Sequence, residues 1–139
     1  LYNSNYLVNF LVGKEFANLG KKKNQTLNLN AKVFLSGGQK YIPLLKDSQG
    51  NLAVDPATNK FWDYGKAYEK GFEDIYKVSL SAGYKWNKQN VTHEIFVNLD
   101  NITNAQGKLS EYYDGKVAGN VGYVKQFGLF PNIMYKLYF

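Results

Sequence analysis

The fold of this chain is decided by residues 74–101, which read DIYKVSLSAGYKWNKQNVTHEIFVNLDN. Apolar and polar side chains alternate over residues 76–86, and the alternation resumes over residues 91–99. A period of two residues is typical of a β-strand with one apolar face, because successive side chains point to opposite faces of a sheet. The polar break at residues 87–90 has the composition of a tight turn. The stretch therefore predicts a β-hairpin with one apolar and one polar face.

A symmetric turn at residues 87–90 also predicts the pairing of the two strands. It places Lys85 opposite Thr92, and Lys77 opposite Asp100, all on the polar face. A slip by one residue would move every side chain to the other face of the sheet. The hypothesis therefore requires Lys77 and Asp100 to lie on the same face.

The same alternation predicts about five strands in the whole chain. We expect them near residues 6–16, 25–36, 74–87, 91–101 and 121–139. Strands of globular proteins have about 5–6 residues, whereas a tilted strand needs about 9–11 residues to cross a bilayer. The predicted strands reach the longer value, which favours a membrane barrel.

The connections between these strands alternate in length. Those near residues 17–24 and 87–90 are short, whereas residues 37–73 and 102–120 form long loops. Outer-membrane barrels have short periplasmic turns and long extracellular loops. If the last strand ends in the periplasm, both long loops fall outside the cell. Within the first loop, the spacing of Tyr64, Ala67 and Tyr68 also allows a short helical turn.

The composition agrees with an all-β chain and excludes several classes of site. Aromatic residues make up 17% of the chain and glycine occurs 13 times, which favours strands and turns. A mean hydropathy of -0.41, without a long apolar run, excludes a transmembrane helix. The absence of Cys excludes disulfides and thiolate sites. The net charge is +6. Lys21, Lys22 and Lys23 lie in a Gly/Asn-rich turn and the other lysines are scattered, without a basic stripe of stacking aromatics, so we expect no nucleic-acid partner.

Five strands cannot close a barrel around polar side chains, since the smallest outer-membrane barrels have about eight strands. An open sheet would expose two strand edges, which lipid does not tolerate. The predicted fold is therefore an all-β antiparallel meander of about five long strands, spanning residues 1–139, and a barrel would require further strands from the rest of a chain or from partner chains. Because the chain begins at Leu1 without Met or a signal peptide, we expect a fragment or a processed piece.

The C-terminal residues 133–139, IMYKLYF, resemble the signal that directs outer-membrane barrels to their assembly machinery. That signal alternates apolar residues and ends in an aromatic residue. The resemblance implies that Tyr135, Leu137 and Phe139 are read by the barrel-assembly machinery through addition of a strand to a sheet edge. The alternative is a strand that simply ends at the terminus.

Other motifs resemble the TonB-dependent receptors that carry a carboxypeptidase-regulatory-like N-terminal domain. They are AKV at residues 31–33 with SGGQKYIP at 36–43, THE at 92–94 with NLDNITN at 98–104, and GLFPN at 128–132. The chain departs from the pattern at Ile42, where that branch usually has Thr before Pro.

The resemblance implies that the chain is the C-terminal section of a large transmembrane β-barrel. This barrel would be plugged, would have about 22 strands and would lie in the bacterial outer membrane. Such a receptor imports a scarce ligand, namely a siderophore, vitamin, glycan or peptide. Its partners are membrane lipid, the rest of the barrel and the plug, and TonB, which acts through an N-terminal part outside this sequence. A surface lipoprotein partner is left open, and no cofactor is implied.

Ligand contacts are expected from the large aromatic residues of the long loops. These candidate ligand-binding residues are Tyr41, Trp62, Tyr64, Tyr68, Tyr112 and Tyr113. Their rings can stack on a sugar or a chelate ring, and packing within the loops is the alternative.

Catalytic and metal sites are not expected. His93 is the only histidine and cannot form a metal cluster or a triad by itself, so it is interpreted as a polar interfacial residue opposite Tyr84. The acidic residues Asp47 and Asp55 lack the spacing of an EF-hand, so a turn is expected there. The carboxylates of Glu15, Glu94 and Asp100 are interpreted as charge partners of lysines, and we expect no enzyme activity.

Two other functions remain open at this point. The chain could be a soluble β-sheet ligand-binding domain whose apolar faces form a closed core, or a small diffusion barrel built from several copies. The deciding feature is whether hydrocarbon or a second protein layer covers the apolar row, which consists of Val78, Leu80, Ile95, Val97 and Leu137.

Overall fold

A computed structural model describes residues 4–139 of the chain, and β-strands dominate it. The strands are β1 (Leu7–Leu19), β2 (Gln25–Ser36), β3 (Ile75–Asn87), β4 (Thr92–Asp100), β5 (Lys108–Tyr113), β6 (Val121–Lys125) and β7 (Phe130–Tyr138). The helical turn allowed by the first loop is limited to a 3₁₀ helix at Tyr64–Lys66. Among residues 4–139, no helix is long and apolar enough to cross a membrane.

Five of the strands form one sheet in the order β1-β2-β3-β4-β7, and β5 and β6 form a separate hairpin. The predicted all-β antiparallel meander of five long strands is thereby confirmed. The turns at residues 20–24 and 88–91 connect neighbouring strands at one end of this sheet, which we call the short-turn end. The connections at residues 37–74 and 101–129 begin at the opposite ends of the strands.

The chain divides into two compact units. The sheet unit contains residues 8–35, 76–105 and 127–139, and the loop unit contains residues 4–7, 36–75 and 106–126. Within the described residues, the buried hydrophobic side chains are Leu44 and Ile75, both of the loop unit.

The predicted pairing of the central hairpin is wrong by two residues. Lys85 lies opposite Glu94 rather than Thr92, and Trp86 lies opposite His93. The turn is closed by a hydrogen bond from the Lys88 N–H to the Val91 carbonyl, 2.8 Å. This register sets a lysine against a glutamate and stacks Trp86 on His93, which explains the shift physically.

A shift of two residues leaves the assignment of faces intact, because the side-chain period of a strand is two. Ser79 now lies near Asp100, with 2.5 Å between the two side-chain oxygens. Lys77 lines the same small cleft as Ser79 and Asp100, so Lys77 and Asp100 share the polar face as required.

The segment predicted as one strand at residues 121–139 is two strands in two different sheets, and the predicted loop at residues 102–120 contains β5. The interruption at residues 126–129 has a clear cause. The Asn101 side chain donates to the Phe127 carbonyl, 3.2 Å, and the Asn104 side chain accepts from the Leu129 N–H, 3.0 Å. Side chains at the end of β4 therefore satisfy backbone groups that a continuous strand would have paired.

One face of the five-stranded sheet carries exposed apolar side chains, and the other carries mostly polar side chains of mixed exposure. On the apolar face, Leu80 is 42% exposed and Ile133 is 74% exposed. On the polar face, Ser79 is only 5% exposed. In the apolar row, Leu80, Ile95 and Leu137 are exposed and the two valines are half-buried, so no second layer of the described residues covers the row.

Candidate functional site

The first long connection is an ordered ribbon rather than an irregular loop. Its two arms form antiparallel bridges at Lys40–Gly71 and Leu44–Trp62. The Tyr68 N–H donates to the Tyr41 carbonyl, 3.0 Å, within the same ladder. We call residues 39–72 the loop ribbon. Its backbone pairing holds side chains of both arms in place, as a binding site requires.

Gly38 lies where the loop ribbon begins, within the SGGQKYIP motif. A Cβ atom at this position would lie 1.6 Å from the carbonyl oxygen of Phe72. Since that neighbour is backbone, it could not move aside without breaking the ladder, and only glycine fits here. The motif that carried part of the family resemblance therefore has a local structural role.

Four of the six predicted ligand-binding aromatics come together in one cleft of about 240 Å³. We call it the aromatic cleft, and its lining residues are Tyr41, Trp62, Tyr64, Tyr68, Lys40, Ile42, Leu109 and Ser110. Sites for drug-sized ligands have volumes of about 300–1,000 Å³. The aromatic cleft therefore accommodates one ring-sized part of a ligand.

Two aromatic side chains of the cleft have ring contacts, and a third residue has an unusual backbone conformation. Tyr41 stacks on Phe72 with ring centroids 4.0 Å apart and planes 7° from parallel. The Lys60 ammonium lies 5.7 Å from the Tyr64 ring centroid, over its face. Tyr68 adopts a left-handed backbone conformation, with φ of 63°, which is uncommon for a bulky residue. The ribbon therefore fixes the lining of the cleft.

Tyr41 supplies a hydroxyl as well as a ring. Burial, and then the negative charge of Glu111, raises the pKa of Tyr41 above its usual range. The Tyr41 hydroxyl also interacts with Glu111 through a hydrogen bond, which adds to the rise of the pKa.

The other two predicted aromatics, Tyr112 and Tyr113, lie on β5 and do not line the aromatic cleft. Tyr113 stacks on Phe61 with centroids 6.3 Å apart. The Tyr112 ring covers Gly122 of β6, where an added Cβ would lie 2.5 Å from the ring. These two rings pack within the loop unit, which was the alternative interpretation of the aromatic set.

Glu111 is the acidic residue that sequence reasoning missed. It lies on β5, is 9% exposed, and accepts a hydrogen bond from the Leu44 N–H, 3.0 Å. This contact attaches β5 to the loop ribbon. Nothing in its local sequence distinguishes Glu111 from an exposed strand glutamate, since its partner is 67 residues away.

Two of the three carboxylates singled out from sequence have side-chain partners on other strands. Asp100 lies 3.9 Å from the Lys32 ammonium, and Glu94 accepts from the Tyr138 hydroxyl, 2.8 Å. Glu15 is exposed on β1.

Asp47 and Asp55 each organise a turn. Asp47 accepts from the N–H groups of Gln49 and Asn51, both 2.8 Å, and Asp55 accepts from the Ala57 N–H, 2.9 Å. Within residues 4–139, no group of three or more potential metal-ligating side chains occurs.

A second aromatic group lies on the apolar face near the short-turn end. Trp86 stacks on His93, with centroids 4.9 Å apart and planes 7° from parallel. The His93 Nδ1 atom lies 2.7 Å from the Tyr135 hydroxyl, and the Tyr84 ring lies 5.7 Å from Trp86. We call Tyr84, Trp86, His93 and Tyr135 the aromatic cluster. It crosses β3, β4 and β7, and it places His93 opposite Trp86 rather than Tyr84.

Comparison with protein-family models, with curated proteins and with solved structures found no match in any of the three. The likeness to TonB-dependent receptors therefore rests on the sequence motifs alone.

The residues of the proposed assembly signal lie at the free edge of the sheet. β7 pairs with β4 at the end of the strand order. Tyr135 and Leu137 point to the apolar face, where Leu137 lies opposite His93. Phe139 follows the strand and is 96% exposed. An edge strand with unpaired backbone groups is available for pairing with another strand.

Proposed function

We propose that this chain forms part of the wall and the outer loops of a TonB-dependent transporter in the bacterial outer membrane. In this proposal the exposed apolar face contacts lipid, β1 and β7 pair with further barrel strands, and the loop unit contributes to ligand capture. A plug, TonB and the barrel-assembly machinery are its partners, and a surface lipoprotein is a further candidate. No catalytic role is proposed.

The observation that carries the proposal is the exposed apolar face of the five-stranded sheet. Side chains such as Leu80, Ile95 and Ile133 stay exposed on one face, while Ser79 and Gly83 are buried on the other. Exposure of a broad apolar surface to water is unfavourable, and in a soluble protein such a surface is normally covered. Lipid does favour it, because hydrocarbon chains solvate apolar side chains and the strands keep their backbone groups paired.

Two further features support a membrane location. The five strands contain 9 to 13 residues each, against about 9–11 needed to cross a bilayer. The aromatic cluster lies on the apolar face near the ends of the strands, where outer-membrane barrels have their aromatic girdles. A soluble ligand-binding domain would require neither feature.

Site-directed spin labelling tests the proposal, and the chain is suited to it because it contains no Cys. Single cysteines would replace Leu80 and Ile133 on the apolar face, with Ser81 and Asn132 on the polar face as matched controls. Labels in lipid collide often with oxygen and rarely with a water-soluble nickel chelate. In protein reconstituted into bilayers, we expect labels at Leu80 and Ile133 to collide mainly with oxygen. We do not expect this for labels at Ser81 and Asn132.

Two results would exclude the membrane wall. A label at Leu80 that meets the nickel chelate freely would place the apolar face in water. A label there that meets neither reagent would place the face in a closed core, as in a soluble domain. A small diffusion barrel would instead give the expected labelling together with a stable oligomer of this chain alone, detected by mass in detergent.

The aromatic cleft is proposed to bind one ring of the transported ligand. Its lining combines stacking surfaces with a lysine and hydroxyl groups, which suits a sugar or a chelate ring. Trp62→Ala should weaken uptake and ligand binding. Tyr113→Ala, which removes a ring that stacks on Phe61 outside the cleft, should change neither. Equal loss in both variants would assign the aromatics to loop packing.

A further inference from the structure

The net positive charge of the chain is concentrated at the short-turn end of the sheet. The turns at residues 20–24 and 88–91 contain four lysines and no acidic residue. The long connections, residues 37–74 and 101–129, together contain eight lysines and eight acidic residues. Four of the six net charges therefore lie within nine residues.

The geometry of the turns holds these lysines together at the surface. We call Lys21, Lys22, Lys23 and Lys88 the basic rim. All four are exposed, and a hydrogen bond from the Lys23 N–H to the Gly20 carbonyl, 3.1 Å, closes the first turn.

The two turns are also tied to each other. The Asn87 N–H donates to the Asn24 carbonyl, 2.9 Å, and Lys23 and Lys88 are the chain neighbours of that bonded pair. Within the part of the chain that the structure describes, no rim lysine forms an ion pair. None of these four charges is thus neutralised by an ion pair with a described residue.

The aromatic cluster lies directly behind the basic rim. Trp86 is two residues before Lys88 in the chain, and His93 is two residues after Val91, where the second turn ends. In membrane proteins, Trp and Tyr side chains are enriched at the level of the lipid headgroups. Lysines placed just beyond them can extend their ammonium groups to lipid phosphates.

We propose that the basic rim binds the phosphate groups of anionic phospholipids in the leaflet that surrounds the short-turn end. This inference rests on the proposed membrane location. A soluble polyanion would also attract four lysines, but it would gain nothing from an aromatic cluster on the apolar face beside them. The combination of unpaired cations and interfacial rings is what favours lipid.

The experiment uses the protein purified from its native membrane in a zwitterionic detergent. The rim variant replaces Lys21, Lys22, Lys23 and Lys88 by Gln. The control variant replaces four exposed loop-unit lysines by Gln, namely Lys46, Lys70, Lys116 and Lys125. Both variants lose the same charge, and a third variant with Arg at the four rim positions keeps it.

Retention of phosphatidylglycerol, measured by native mass spectrometry, is the readout. We expect the rim variant to bind it more weakly by roughly tenfold or more, since each lysine near an anionic surface contributes to attraction. The control and Arg variants should bind it as the parent protein does. Phosphatidylcholine should be retained equally by all four proteins.

Two outcomes would overturn the inference. The first is an equal loss in the rim and control variants, which would reflect net charge alone. The second is rim-dependent binding of tripolyphosphate without preference for phosphatidylglycerol over phosphatidylcholine, which would assign the rim to a soluble anion. The spin label at Leu80 distinguishes failure of this inference from failure of the proposed membrane location. If the label is exposed to lipid but the rim variant binds phosphatidylglycerol as the parent protein does, only the present inference is rejected. If the label is exposed to water, the membrane wall is rejected as well.

Discussion

At the scale of single residues, Asn101 organises the end of β4. It is 1% exposed, and its amide group donates to the carbonyls of Ala105 and Phe127 at 2.8 and 3.2 Å. Its carbonyl oxygen accepts from the Thr103 hydroxyl and the Ala105 N–H. The NLDNITN motif therefore ends a strand by replacing backbone pairing with one buried side chain.

Substitution of Asn101 should destabilise the sheet unit. Asn101→Ala removes these hydrogen bonds and leaves buried carbonyl and N–H groups without partners, which we expect to cost about 2–4 kcal/mol. Denaturant unfolding in detergent measures the change. Asn59→Ala is the matched control, because Asn59 has a similar φ (53° against 55°) but is exposed. Equal losses would attribute the effect to backbone conformation instead.

Asp47 gives a pH-dependent prediction. Hydrogen bonds from the N–H groups of Asn51 and Gln49 lower the pKa of the Asp47 carboxyl below its usual range. Because the folded-state pKa is the lower one, the turn gains stability above the unfolded-state pKa and loses it as pH falls through the folded-state pKa. The amide chemical shifts of Gln49 and Asn51 should report that midpoint. A midpoint at the ordinary aspartate value, or persistence of the transition in Asp47→Asn, would contradict the prediction.

At the scale of elements, the central hairpin shows how pairing is selected once the faces are set. Registers that differ by two residues expose the same faces, so hydrophobic patterning cannot choose between them. The observed register gains the Trp86–His93 stack and places Lys85 opposite Glu94. Cross-strand contacts of this kind decide the choice.

The two faces of β3 should respond differently to charge. Leu80→Lys places an ammonium group on the proposed lipid face, which we expect to destabilise the folded state by about 2–4 kcal/mol near the bilayer midplane. Ser81→Lys places the same group on the polar face and should cost much less. Unfolding in lipid bilayers measures both. Equal costs, or a larger cost for Ser81→Lys, would oppose a lipid-facing apolar row.

At the scale of the whole molecule, the sheet has two free edges and an uncovered apolar face. β1 and β7 each have one neighbour in the strand order, and the exposed apolar side chains extend from β1 to β7. Unpaired edges in contact with lipid are unfavourable. If the proposed membrane location holds, β1 and β7 would pair with strands of a larger barrel.

Assembly into that barrel should depend on the last residue. Deletion of Phe139 should lower the amount of folded protein in the outer-membrane fraction without changing the stability of protein already folded, because this exposed ring makes little contact with the sheet. Immunoblotting of membrane fractions measures the amount. Phe127→Ala, which removes another highly exposed ring outside β7, is the control. An unchanged level after deletion would leave the terminus as a strand end only.

The sequence predicted the strands better than their connections. β2 has the predicted bounds, and the faces of β3 and β4 follow the alternation. The prediction of a single strand at residues 121–139 was wrong. The Asn101 and Asn104 side chains form hydrogen bonds with backbone groups of residues 127 and 129, and the local sequence does not reveal these contacts. In the aromatic set, sequence identified suitable side chains but could not separate Tyr68, which lines the cleft, from Tyr112, which covers Gly122.

The sequence by itself determined the apolar faces and approximate lengths of β2, β3 and β4, because the period of two residues is a local property of the chain. Only the tertiary structure decided the register of β3 against β4, the insertion of the β5–β6 hairpin before β7, and the residues that form the aromatic cleft. Each of these depends on contacts such as Leu44 with Glu111 that join distant parts of the chain. A local pattern carries no information about which distant partner satisfies a given group.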